Sequence, residues 1–179
     1  TDSVYITSRD GVHFRQSNDV FLQPGLRTMH NWSYGDNYIA WHVVETVSTR
    51  DDMPAELSLY ATESYFTGRD SRLRRYSLRL DGFASIHAKA QPGEVVTKPL
   101  RFSGRELSLN VATSAAGMVR VEMTTAEGVP IAGFTREECD PIYGDALDRR
   151  VSWRGNTSVA SLVDTPVRLR FVMQEADEI

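Results

Sequence analysis

An all-β fold is what the sequence predicts, and three observations lead to it. Apolar and polar residues alternate with period two in run after run, the spacing of a strand with one covered face. The i, i+3, i+4 spacing of an amphipathic helix is almost absent. Turn dipeptides punctuate the runs at short intervals: Asp10-Gly11, Pro24-Gly25, Asp81-Gly82, Pro92-Gly93, Ser103-Gly104, Glu127-Gly128 and Arg154-Gly155. Many short strands with frequent turns describe a sandwich, a barrel or a propeller.

The elements follow in chain order. Val4, Tyr5 and Ile6 form a β-branched and aromatic run that leads into Arg9-Asp10-Gly11, and Phe14 opens the next run. Asp10 can accept from turn amides, Gly11 can take a positive φ, and Phe14 is expected to pack between sheets. Tyr38–Val47 (YIAWHVVETV) is the richest apolar run and reads as a buried strand. In Glu56–Tyr65 (ELSLYATESY), Leu57, Leu59 and Ala61 point one way, and Glu56, Ser58, Tyr60 and Thr62 the other. In Leu73–Leu80, Arg74, Tyr76, Leu78 and Leu80 oppose Leu73, Arg75, Ser77 and Arg79. Further strand candidates are Ser85–Ala88, Val96–Phe102, Glu106–Thr113, Val119–Thr124, Arg149–Trp153 and Val167–Met173.

Composition bounds the function. The 179 residues are 41% hydrophobic and 25% charged, ordinary for a globular chain with a sizeable core. The formal net charge is −4 with no basic block, so no nucleic acid partner is expected. Of 20 basic residues only Lys89 and Lys98 are lysine. Arginine suits bidentate contact with carboxylates and sugar hydroxyls, and a GC-rich genome produces the same bias. No apolar run approaches the roughly 18 residues that span a membrane, so no membrane partner is expected. No phosphate-cradling glycine loop and no Ser-His-Asp context is present, and no cofactor is expected. Cys139 stands alone, so no internal disulfide forms and the redox compartment stays open. The chain starts at Thr1 rather than Met and enters a strand-like run almost at once, which reads as a fragment or a processed product.

A boundary falls near Ala90–Glu94 (AQPGE), dividing residues 1–88 from residues 92–179. The first half is aromatic-rich with two irregular stretches, Pro24–Asn37 and Arg50–Pro54; the second has tighter loops. Both faces of the first half's strands carry apolar residues. A single sheet cannot bury both faces alone, so this half is expected to need a partner surface.

A resemblance sharpens that expectation. The order SRDGVHF, PGLRTMHNW, ELSLYATESY and RLRRYSLRLDGFASIHA, then GEVVTKPLRFSGRELSLNVATSAAGMVRVEM, GVPIAGF, IYGD, RRVSWRG and TPVRLRFVMQEAD, spans nearly the whole chain. It resembles the C-terminal part of bacterial glycoside hydrolase family 32-like proteins, which carry a five-bladed propeller followed by a β-sandwich. The resemblance implies a propeller-blade-like antiparallel meander over 1–88 and a jelly-roll-like sandwich over 92–179. It implies carbohydrate as a partner, and either missing N-terminal blades or self-association to cover the meander. A secreted or periplasmic bacterial location is compatible with it. In the family the first blade carries an Asn-Asp-Pro carboxylate; here Asn18-Asp19 is followed by Val20. The resemblance therefore implies that this chain lacks most of the catalytic carboxylates and is inactive by itself.

Candidate site residues each have two readings. His30, Asn31 and Trp32 follow Pro24-Gly25; Trp32 could stack on a sugar while His30 and Asn31 bond its hydroxyls, or Trp32 could plug a gap between blades. Tyr65 and Arg75 are further carbohydrate-binding candidates. Glu63 continues the Leu57, Leu59, Ala61 face. It could project into a cleft as a general acid, with burial raising its pKa, or pair with Arg72, Arg74 or Arg75; the pairing is the favoured reading. Arg72, Arg74, Arg75 and Arg79 form a basic stripe that could bind acidic sugars, or serve as an ion-paired edge that discourages aggregation. Glu137, Glu138, Asp140 and Asp145 crowd an acidic stretch. Asp140 and Asp145 are calcium candidates, against a turn whose carboxylates cap backbone amides; the spacing is not that of an EF-hand. Cys139 reads as an inert thiol. Asn31-Trp32-Ser33 and Asn156-Thr157-Ser158 match a glycosylation triplet and carry little weight.

Three functions compete: the C-terminal portion of a glycoside-hydrolase-like protein whose sandwich buttresses a propeller and contacts carbohydrate, a free-standing carbohydrate-binding module, and a structural or assembly domain.

Overall fold

The computed structural model describes residues 1–29, 31–51, 53–66 and 71–179. The fold is all-β and antiparallel, in two compact units, Thr1–Ala84 and Ser85–Ile179. Ser85–Ala88, grouped with the first half in the sequence, belongs to the second unit. There the Ile86 N–H donates to Ile179 O, and Ala88 exchanges bonds with Ala176.

The first unit opens with a hairpin of β1 (Ser3–Ser8) and β2 (Phe14–Leu22). Its turn is built as its residue types dictate. Asp10 Oδ1 accepts from the Val12 and His13 amides, Ser8 Oγ accepts from Gly11, and Gly11 has φ +73°. Phe14 is exposed, not packed between sheets as expected. It pairs with Ser8 and so shares the face of Val4 and Ile6, whereas Tyr5, Phe21 and Phe83 stack on the other face.

A second sheet has the order β3-β4-β5, with β3 Val44–Thr46, β4 Glu56–Glu63 and β5 Arg72–Arg79. The alternation read from the sequence is realised in β4 and β5: Leu57 pairs with Leu78, Leu59 with Tyr76, Ala61 with Arg74 and Glu63 with Arg72. The long strand expected over Tyr38–Val47 is broken, and it is exposed rather than buried. Ile39 bridges to Ala61 and the Ala40 N–H donates to Tyr60 O, then His42 turns to φ +75° and pairing resumes only at Val44. A side chain in the left-handed region breaks the ladder, and an apolar pattern alone does not forecast it.

The second unit is sandwich-like. One layer is a sheet of order β6-β9-β7-β8, with β6 Gly93–Val96, β7 Ser108–Thr125, β8 Asp145–Arg150 and β9 Val167–Glu178. The two strand candidates Glu106–Thr113 and Val119–Thr124 are one strand, β7. It stays paired to β9 across a bulge, its register jumping between Thr113 and Met118. A Cβ at Gly117 would strike the Glu175 carbonyl, so the bulge requires glycine there. Val119, Val121 and Met123 alternate on the covered face of β7 and share one apolar cluster with Met173 of β9. The opposing layer is chain outside the sheet's ladders, which contributes Phe134, Cys139, Ile142, Trp153, Val159 and Leu162 to that cluster.

The edge of β7 is sealed in an irregular way. Val119 exchanges backbone bonds with Ile142, and Met123 bonds to Ile131 and Phe134. Between them Val121 has side-chain partners instead: its N–H donates to Cys139 Sγ at 3.2 Å and its carbonyl accepts from Trp153 Nε1 at 3.0 Å. Two buried side chains stand in for a neighbouring strand, which leaves no orphaned peptide group at that position.

Candidate functional site

A pocket of about 600 Å³ lies in the first unit, lined among others by Asn31, Asp36, Glu63, Ser64, Arg72 and Arg74. Two pieces of chain shape it. One is the irregular stretch 24–37; the other is the end of β4 and the start of β5.

The irregular stretch is organised by its own polar side chains. Asn31 donates through Nδ2 to the Pro24 and Leu26 carbonyls and accepts the Thr28 N–H at Oδ1. Trp32 Nε1 donates to Gly25 O. Asp36 is 2% exposed, and its oxygens accept from the Ser33 and Tyr65 amides. Asn37 donates through Nδ2 to Thr1 O and accepts from Ser3 Oγ at its carbonyl, tying the loop to the hairpin. These are backbone N–H and C=O groups of the kind a loop leaves unpaired, and the loop's Asn, Asp and Trp side chains satisfy them.

The strand side carries the charge. Glu63 meets Arg72 Nε at 2.8 Å through Oε2, and Arg74 Nε at 2.7 Å through Oε1. Tyr76 OH donates to Oε1 at 3.0 Å. Burial pushes the Glu63 carboxyl up, but the Arg72 and Tyr76 hydrogen bonds and the Arg74 and Arg72 charges outweigh it and leave it below its ordinary value. Burial, then the Glu63 hydrogen bond and charge, raise the Tyr76 phenol.

Backbone strain concentrates around the pocket. Trp32, Asn37, Ser64 and Phe66 have φ between +54° and +66°. For Trp and Phe this is uncommon and costs on the order of 1 kcal/mol or more each. Gly35 (φ +95°) is buried against the Tyr65 ring, which a Cβ there would strike.

The sequence candidates distribute as follows. His30 lies outside the described residues. Asn31 lines the pocket with its amide committed to backbone. Trp32 and Tyr65 directly follow the lining residues Asn31 and Ser64, and are 58% and 40% exposed. Glu63 is ion-paired, and its lowered pKa is the reverse of the rise a general acid requires. Arg75 is not at the pocket. It projects from the other face of β5 onto Glu56, Ser58 and Thr46, because successive strand residues face opposite ways. Arg72 and Arg74 of the same stripe supply the pocket's guanidinium groups.

Asp140 accepts from Ser152 Oγ and the Gly155 N–H, bonds that hold its carboxyl below its ordinary value, as a turn-capping carboxylate should. Asp145 opens β8 on the surface. Among the described residues no three His, Cys, Asp or Glu side chains converge to hold a metal ion. Cys139 is buried, and burial raises its thiol pKa.

Asp36 and Tyr76 were not singled out from the sequence. The Gly35-Asp36-Asn37 triplet is a turn signal that could have marked Asp36 as a loop organiser. Tyr76 follows from the alternation of β5, which places it on the face of Arg74.

Comparison with known protein families, with curated proteins and with solved structures returns no match.

Proposed function

We propose that the chain is a sugar-contacting, non-catalytic portion of a glycoside-hydrolase-like protein, with the first unit's pocket as the contact site. One observation carries this reading. A pocket of about 600 Å³ joins Glu63, Arg72 and Arg74 to the 24–37 loop, and two exposed aromatics adjoin its lining in the chain, Trp32 after Asn31 and Tyr65 after Ser64. Ligand pockets run to roughly 300–1,000 Å³. A sugar offers a hydroxyl-studded edge and an apolar C–H face, so it needs planar polar groups beside an aromatic surface.

The described carboxylates of the pocket support the non-catalytic part of this reading. Glycoside hydrolysis needs a protonated acid opposite a second carboxylate. Glu63 is held ionised by two guanidinium groups, and the Asp36 oxygens accept the Ser33 and Tyr65 amides. Glu63, held below its ordinary value, is not poised to give a proton at neutral pH.

An assembly role is the second reading, favoured by the exposed Val4, Ile6, Phe14 and Val20 on one face of the β1–β2 hairpin. A glycan array probed with the full chain separates the two. Glycan binding that is lost in Trp32→Ala and Tyr65→Ala variants of unchanged circular dichroism is expected. Absence of binding to any glycan leaves the assembly role standing. Release of reducing sugar by the purified chain would overturn the non-catalytic part.

A further inference from the structure

We infer that the first unit takes an oligosaccharide rather than a single sugar, with Tyr34 and Tyr38 as the platform for the sugar residue beyond the pocket; this rests on the carbohydrate reading of the same pocket. Three tyrosines stand out to solvent beside it: Tyr34 is 75% exposed, Tyr38 45% and Tyr65 40%. Exposed rings scattered singly carry no message, but these adjoin. Tyr34 and Tyr38 meet edge to face with centroids 6.0 Å apart. The Tyr38 phenol is raised by its hydrogen bond to Tyr34 first, then by burial and by the charges of Tyr34 and Tyr65, which places all three hydroxyls near one another.

The platform is continuous with the pocket. Asp36 and Asn37 line the pocket, and Tyr34 and Tyr38 flank them in the same stretch of chain. Asp36 Oδ1 accepts the Tyr65 N–H, and the Tyr65 ring lies in the Cβ direction of Gly35. This turn is tied to the end of β4. The Asn37 N–H donates to Thr62 O, the Thr62 N–H donates to Tyr38 O, and the Thr62 hydroxyl donates to Gly35 O. Asp36 and Asn37 are each 2% exposed, so buried, hydrogen-bonded backbone carries the exposed rings. A tyrosine held in this way has only two side-chain torsions to lose on binding. Its ring takes the C–H face of a sugar and its hydroxyl bonds the edge. The pocket beside it offers Asn31, Glu63, Arg72 and Arg74. A ligand that covers both surfaces is polar-edged and flat-faced along its length, as linked sugar rings are.

A glycan array printed with length ladders of gluco-, manno-, xylo-, galacto- and fructo-oligosaccharides, from the single sugar upward, tests the inference when probed with the full chain. Within the ladder that binds, affinity is expected to rise about fivefold from the single sugar to the trisaccharide, the size of one added aromatic contact. Tyr34→Ala, at unchanged circular dichroism, should bring the trisaccharide down toward the single sugar. Tyr34→Phe keeps the ring and should retain most of the rise, whereas a purely structural role for the Tyr34 hydroxyl predicts the same loss in both variants. A flat ladder, or a rise that survives both Tyr34→Ala and Tyr38→Ala, overturns the inference but leaves the carbohydrate reading standing. If no ladder binds, both fall together.

Discussion

In the second unit Val119, Val121, Met123, Met173 and Trp153 are all buried together, with Phe134 edge-on to the Trp153 ring. In the first unit the buried positions include Leu59 and Ala61, but also Asp36, Asn37, Ser58 and Ser64. Its large apolar side chains are instead widely exposed, among them Val4, Ile6, Phe14, Trp41 and Val47. The second unit thus rests on removal of apolar surface from water, at roughly 25 cal/mol per Å². The first is held by a network in which loop side chains satisfy loop amides. Such a network is directional, and each bond contributes only about 1 kcal/mol net. The difference teaches how each unit is held: the second by a large shared apolar cluster, the first by a polar, strained loop that shapes its pocket.

Two tryptophans test the comparison most severely. Trp153 is 2% exposed and its indole N–H seals the β7 edge; Trp41 is 87% exposed. Trp153→Ala is expected to cost about 3–5 kcal/mol in urea denaturation, from the cavity and the orphaned Val121 carbonyl. Trp41→Ala should stay within about 0.5 kcal/mol. Equal costs would break the contrast between the units.

Gly35→Ala comes next. The left-handed φ and the Tyr65 ring in the Cβ direction together should destabilise the first unit by about 1–3 kcal/mol. Hydrogen exchange localises the effect: faster exchange of the Asn37 and Tyr65 amides, with β7 and β9 unchanged, is the expected pattern. Acceleration of the β7 amides would mean that the units are not energetically distinct.

The smallest effect is at Glu63. Its folded pKa lies below the ordinary carboxyl value of 4.5, so it binds its proton less readily folded than unfolded. Its contribution is therefore complete above about pH 4.5 and is lost as pH falls through the lowered folded value. Glu63→Gln should flatten the acid limb of the first unit's stability and leave that of the second unit unchanged, read by exchange rates between pH 3 and pH 6 (values chosen to bracket the roughly 4.3 of a free Glu). An unaltered acid limb would show that the Arg72 and Arg74 pairing is energetically idle.

Legibility in the sequence tracks the range of the interaction. The turn of the first hairpin was readable, because Ser8, Asp10 and Gly11 serve amides no more than three residues away. Glu63 against its arginines was readable too, since alternation fixes which side chains of a strand share a face. Tyr38–Val47 was misread because an apolar run does not reveal that one residue, His42, leaves the extended region. Of the residues read as carbohydrate-binding candidates, Asn31 lines the pocket, whereas Arg75 lies on the other face of β5 from the lining residues Arg72 and Arg74.

What the sequence determined by itself is the all-β class, the β1–β2 turn, the facing of β4 and β5, and the single unpaired thiol. Period-two alternation and turn chemistry are local, and they act before any long-range contact forms. Only the tertiary structure decided that Cys139 Sγ and Trp153 Nε1 close the β7 edge from 18 and 32 residues away. It also decided that Asp36 faces the Tyr65 amide across 29 residues. Those pairings depend on which loop lands beside which strand, and that outcome belongs to packing and to the satisfaction of buried amides, not to any pattern along the chain.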